Sequence, residues 1–235
     1  MAEMTRILVV TAHPDDVDFG AAGTVAHWAD AGAEIHYGIC TNGDAGGFDP
    51  AVPREEIPGI RQAEQRAAAA LLGVHDVHFL GYPDGDLAVT QDLRCDIARL
   101  IRLVKPHRML IQSPERNWQR IPASHPDHLA AGEASMRAIY PDARNPFAHP
   151  QLMAEGLRDW VVNEIWVMGG PQNNHWVDIT EVYDRKLAAI RAHTSQVAHL
   201  PDLDTKMRTW FGATAIEGGL GSDRLAEAFL IAHLP

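Results

Sequence analysis

The stretch Ile7-Leu8-Val9-Val10-Thr11-Ala12-His13-Pro14-Asp15-Asp16 governs the fold. Ile7 to Thr11 is a short, unbroken apolar and β-branched run, the pattern of a strand buried on both faces. It runs straight into an imidazole and two carboxylates, with Pro14 stiffening the turn. In a doubly wound sheet, ligands bind outside the carboxyl ends of the strands, where this polar turn falls. A nucleotide-binding chain would place a glycine-rich turn there. Gly20 and Gly23 do not complete G-x-G-x-x-G, so a dinucleotide site is set aside.

Strand and helix patterns alternate from this point. A helix near 23–31 stops at Gly32, and Ile35 to Thr41 reads as a second strand. A Gly/Asp/Pro-rich loop covers 42–56. An alanine-rich helix from about Ile60 to Leu72 ends at Gly73. Val77 to Leu80 is a third strand, 93–104 a helix closed by Pro106, Met109 to Gln112 a fourth strand, and 129–139 a helix. This rhythm predicts an α/β, doubly wound, mostly parallel sheet with helices on both faces. Past Pro141 the pattern loosens. We expect strands near 162–168 and 175–179 and a helix over about 181–192, and assign nothing firm in the last forty residues. The whole chain, 1–235, reads as one domain, with a core over about 1–140 and a remainder, 141–235, that completes the site.

Composition narrows the partners. Twenty basic against 31 acidic residues give a net charge of -11, which argues against nucleic acid or an anionic membrane as partner. No apolar stretch approaches the roughly 18 residues of a membrane span. The first strand begins so early that no signal peptide is expected before it. Cys40 and Cys95 read as buried thiols rather than a disulfide, so the expected location is the cytosol. A homo-oligomer is left open.

A second cluster, Ser124-His125-Pro126-Asp127-His128, lies past the fourth strand. With the common strand order 3-2-1-4, strands one and four are neighbours, which brings the two clusters together. Either one alone is a turn with a capping aspartate. As a pair they predict a shared metal site, and two imidazoles with a carboxylate and an open position suit a catalytic zinc, one per chain. A further carboxylate beside the metal's water would act as general base.

These motifs resemble those of the LmbE/PIG-L-like de-N-acetylases. Ala12 to Asp16 matches the A-H-P-D-D motif and His125 to His128 matches H-x-D-H. Further similarity runs through Arg61 and Glu64, 69–73, 79–87, 175–180 and 191–196. The resemblance implies a Rossmann-like fold, His13, Asp16 and His128 as zinc ligands, and Asp15 as general base. It implies that His125 stabilises the oxyanion or protonates the leaving nitrogen, that Asp127 orients a neighbouring imidazole, that Arg61 faces the substrate and that His193 closes the pocket. The implied substrate is a small N-acylated amino sugar or conjugate. Many members carry glutamate after the double aspartate, where this chain has Val17 and Asp18. Some carry a tyrosine two residues before the histidine motif, where Ala123 offers no hydroxyl.

Plainer roles stand beside these. Arg61 and Glu64 are spaced for a helix-face ion pair. Arg54, Arg116 and Arg120 are either solvated loop charges or steer an anion, Trp118 either packs its loop or stacks on a sugar, and Asp84 and Asp86 shape a turn. The rival functions are an amidase for a non-sugar or thiol-conjugate substrate, a non-enzymatic metal- or sugar-binding module, and a phosphoesterase.

Overall fold

The computed structural model describes residues 5–235. Alternate residues of β1 (Arg6–Thr11) feed two cores. Ile7 and Val9 pack with one set of helices, Leu8 and Val10 with the other. The first layer holds α1 (Asp16–Asp30), α2 (Ile57–Leu71), α6 (Tyr183–Ala192) and α8 (Leu203–Glu217), and the second holds α3 (Gln91–Val104) and α4 (Pro126–Arg137). Between them lie β2 (Glu34–Thr41), β3 (Asp76–Tyr82), β4 (Arg108–Gln112), β5 (Glu164–Met168), β6 (His175–Asp178) and β7 (Ala226–His233). Two short helices, α5 (Pro150–Ala154) and α7 (Thr194–Val197), complete the set.

The sheet order is β3-β2-β1-β4-β5-β7-β6. The first five strands are parallel and β7 runs antiparallel to both β5 and β6. The predicted 3-2-1-4 half is therefore present, extended by one parallel and two antiparallel strands. Thr90 caps α3 by accepting the Leu93 N–H at 3.1 Å. No helix among the described residues is long and apolar enough to cross a membrane.

Two helix starts and the tail depart most from the sequence-based expectation. Helix α1 starts at Asp16 rather than near Gly23, because the Asp15 carbonyl takes the Asp18 and Phe19 N–H groups at 2.9 and 3.0 Å. The glycines at 20 and 23 lie where α1 meets Met168 and Ile179, so they mark close packing, not a loop. Helix α4 starts at Pro126, three residues early, with His125 as its N-cap. The unassigned tail holds α8 and β7. Helix α8 buries only Leu203, Met207, Phe211 and Ala215, a stripe too narrow to stand out.

Between α1, α6 and β7 lies a fully buried ion pair, Lys186 Nζ to Glu227 Oε1 at 2.7 Å. Lys186 also donates to the Asp18 and Phe19 carbonyls, and Glu227 accepts from the Gly23 and Thr24 amides and the Thr24 hydroxyl. Every donor of the ammonium is used, so the pair staples the tail to the first turns of α1. We expect Lys186→Met to cost about 3–5 kcal/mol, because it strands a buried carboxylate. For a chain of this size that is roughly 10 °C in Tm, measurable by thermal melt. A drop below about 2 °C would rule the staple out.

Candidate active site

Strand β1 delivers His13, Asp15 and Asp16 to its carboxyl end, and the start of α4 delivers His125, Asp127 and His128 to the same place. The Gln112 side chain at the end of β4 holds the Ala12 N–H at 2.8 Å, which ties the two segments together. Gly132 lets α4 lie directly on the backbone of 112–114, where a Cβ would collide with the chain.

Three hydrogen-bond partners fix the His13 and His128 rings. His13 Nε2 sits 3.1 Å from Asp84 Oδ1 and 3.2 Å from Asp127 Oδ2, so this nitrogen carries the proton. His128 Nδ1 lies 3.2 Å from the Ala123 carbonyl and likewise carries its proton. The two nitrogens left with lone pairs, His13 Nδ1 and His128 Nε2, face each other at 3.2 Å. Asp16 closes the triangle, its Oδ2 3.4 Å from His13 Nδ1 and its Oδ1 3.0 Å from His128 Nε2.

Two imidazole nitrogens 3.2 Å apart, each with an Asp16 oxygen at 3.4 or 3.0 Å, repel unless a proton or a metal ion lies among them. Ligands at 2.0–2.1 Å around a tetrahedral zinc are about 3.3–3.4 Å apart, so the donor set fits such an ion. Electrostatics agree. Burial disfavours a charged His13 ring, but the charge of Asp16 and hydrogen bonds to Asp127, Asp16 and Asp84 outweigh it and push the ring up to about 12. Burial opposes the charge on Asp16 too, yet the His128 and His13 rings hold its carboxyl well below the usual range. The site is built for positive charge at this point.

His13, His125 and His128 also lie close enough to hold an ion together, as do His13, Asp84 and Asp127. Protonation argues against both groupings. His125 Nδ1 accepts the Asp127 N–H at 3.2 Å, so its neutral ring is protonated at Nε2 and has no lone pair to give. Burial and the neighbouring His13 and His128 rings keep it neutral by pulling it below its ordinary value. The second grouping would use His13 Nε2, the protonated atom. His125 is therefore a hydrogen-bond donor at the rim of the site, and Asp127 and Asp84 hold His13. Asp127 is itself fixed by the Gly85 and Leu87 N–H groups at 2.7 and 3.3 Å.

Asp15 and Asp16 diverge because Asp15 has φ 96, in the left-handed region that non-glycine residues rarely occupy. Burial pushes the Asp15 carboxyl up to about 6, against the pull of Arg61. Arg61 Nη2 lies 3.0 Å from Asp15 Oδ2 and donates to the Pro14 carbonyl at 2.5 Å, while Nη1 donates to the Gly43 carbonyl at 3.2 Å. Gly46 stands where any side chain would strike this guanidinium.

Arg61 is thus not paired with Glu64, which instead accepts from the Ser195 N–H and hydroxyl, both at 2.7 Å. Nor does it stand in the open, being buried beneath the turn. His193 is fully buried as well, its Nε2 2.8 Å from Asp18 Oδ2, and so lies behind Asp15 rather than at the pocket mouth. The cause is the same in both cases: the Asp15 turn needs support from below. Arg61→Ala is then expected to lower kcat and to cost about 3 kcal/mol, since it leaves a buried carboxylate unpaired. Kinetics and a melt on one preparation would decide. A changed KM with unchanged kcat and Tm would restore Arg61 to direct substrate contact.

The sequence reading missed Asp84, Asp18 and Gln65. Asp84 stands in a turn whose N–H is held by Asp44 at 2.9 Å, and this aims its carboxylate at His13. Its signal was the Tyr82-Pro83-Asp84-Gly85-Asp86 run at a strand end, which has the composition of any turn. A cavity of about 680 Å³ opens from Asp16 and His128 towards Phe19, Met168, Arg120 and Trp210. That volume suits a ligand larger than an acyl group alone.

The profile of the family described as PIG-L, GlcNAc-PI de-N-acetylase, matches residues 8–139. The chain is 34% identical over 219 residues to a probable N-acetyl-alpha-D-glucosaminyl L-malate deacetylase 2 of Bacillus cereus, covering 89% of this chain and 92% of the relative. It is 30% identical over 194 residues to the diacetylchitobiose deacetylase of Thermococcus kodakarensis, covering 83% and 71%. The structure of the N,N'-diacetylchitobiose deacetylase from Pyrococcus horikoshii superposes with a TM-score of 0.89 at 27% identity, covering 98% of this chain and 85% of that one.

Proposed function

This chain belongs to the PIG-L family of de-N-acetylases, and from that premise we propose that it is a zinc-dependent hydrolase removing an N-acetyl group from an amino sugar or sugar conjugate. The observation that carries the proposal is the triangle of His13 Nδ1, Asp16 and His128 Nε2 with the carboxylate of Asp15 beside it. When bound there, a zinc ion would polarise the amide carbonyl and acidify water.

The protein's own residues supply the rest. Asp15 takes the proton of the attacking water, and burial raises its proton affinity into the range useful for that exchange. The Nε2–H of His125 would donate to the oxygen on which negative charge develops. Asp15 then passes that proton to the nitrogen as the C–N bond breaks, leaving acetate and a free amine, while the neutral His125 keeps its own. Asp127 and Asp84 keep His13 in the tautomer that presents its Nδ1 lone pair. The cavity beyond Asp16 and His128 receives the remainder of the conjugate. The free, buried thiols of Cys40 and Cys95 support the cytosol as the compartment.

Acetate release from a panel of N-acetylglucosaminides by the zinc-loaded protein tests this reading. We expect release from at least one glycoside, abolished by chelation and restored by zinc. Zinc-loaded protein that releases no acid from any member, while hydrolysing a phosphoester, would replace the proposal with the phosphoesterase alternative.

A further inference from the structure

Asp15 occupies a backbone conformation that a residue with a side chain avoids unless its surroundings enforce it. Three fully buried side chains stand where that enforcement is needed. The Asp15 N–H donates to Gln65 Oε1 at 2.8 Å, Gln65 Nε2 donates to Asp18 Oδ2 at 2.8 Å, and His193 Nε2 lies 2.8 Å from the same oxygen. The orientation of Gln65 is unambiguous. A backbone N–H requires an acceptor, so the amide oxygen faces Asp15 and the NH2 faces Asp18.

The elements joined are far apart in sequence: β1–α1 through Asp15 and Asp18, α2 through Gln65, and the end of α6 through His193. Arg61 lies one helical turn from Gln65 on α2 and grips the carboxylate and the preceding carbonyl of the same turn. Helix α2 therefore holds Asp15 twice, by the side chain through Arg61 and by the backbone through Gln65.

We propose that Gln65 is a positioning residue for the catalytic carboxylate: locked by Asp18 and His193, it holds the Asp15 backbone in the left-handed conformation that turns Asp15 away from the metal while Asp16 stays on it. The proposal rests on Asp15 acting as the base. It assigns His193 and Asp18 to the support of Gln65, not to the substrate.

Gln65→Met keeps the length and removes both hydrogen bonds. With zinc bound, we expect kcat to fall about ten- to hundred-fold, as for loss of partners that orient a site, with KM within about three-fold and one zinc per chain retained. A purely packing role would lower Tm and leave kcat per zinc-loaded chain unchanged. Gln65→Glu alone sets two carboxylates face to face. Asp18→Asn added to it puts an NH2 where Oδ2 stood, so that one N–H meets the introduced carboxylate, which still accepts the Asp15 N–H, and the other meets His193 Nε2, which accepts it in the other ring tautomer. This double variant should recover most of the kcat that Gln65→Glu loses.

A crystal structure of Gln65→Met reads the same question without any substrate. We expect Asp15 to leave its positive φ there. Asp15 still near φ 96, or a double variant no better than Gln65→Glu, would overturn the proposal. An active Asp15→Asn would instead remove the base assignment, while the crystal structure still decides whether Gln65 sets the backbone.

Discussion

We expect Asp15→Asn to keep its zinc and to lose about 10²–10⁴-fold in kcat, the usual worth of a general base. The amide has the shape of the carboxylate and still accepts from Arg61, so the left-handed turn and the three donor atoms on His13, Asp16 and His128 are preserved. What it lacks is basicity. With Asp15 as the proposed base, the acid side of the parent's pH–rate profile would record protonation of this carboxyl, which burial pushes upwards. That limb should be missing from the variant. Zinc content by elemental analysis and kcat on one preparation settle the matter. A variant that has lost its metal would show that Asp15 is a ligand, and a fully active one that some other group is the base.

Asp16→Ala has the opposite signature. Removing this carboxylate leaves two neutral imidazoles, and the field that holds positive charge at His13 weakens at once, since Asp16 is its strongest source. Zinc affinity should fall by more than the 10–100-fold typical when only a partner of a ligand is lost. Activity at stoichiometric zinc should fall to background. A titration of apo-protein with zinc, read against a chromophoric chelator, gives both affinities. Unchanged zinc affinity in Asp16→Ala would move the site to His13, His125 and His128 and end the tautomer argument.

The parallel half of the sheet and both motif turns were legible because their signals are local. Ile7 to Thr11 is apolar without a break, and His13, Asp16 and His128 lie in short polar runs at strand ends, where bound groups belong. What stayed hidden depends on long-range contact. Strand β7 exists by pairing with β5 and β6, and α8 by a four-residue stripe. Gln65 sits in the alanine-rich α2 between Glu64 and Arg66, where a polar side chain looks solvated; the fold instead turns it inward onto Asp15 and Asp18. Arg61 and Glu64 had the spacing of an ion pair, but two other segments, 14–15 and 195, offered each a better partner. His193 belongs to a matched run of residues, yet only the packing of α6 against α1 shows that it faces Asp18 rather than the cavity.

In the proposed mechanism His13, Asp16 and His128 hold the metal while Asp15 stays free of it. An anomalous-difference map from a crystal of the zinc-loaded protein, recorded at the zinc edge, tests this most directly. One peak per chain is expected, about 2.0–2.2 Å from His13 Nδ1, an Asp16 oxygen and His128 Nε2. A peak bonded to Asp15, to His125 Nε2, or to His13 Nε2 between Asp84 and Asp127 would contradict it.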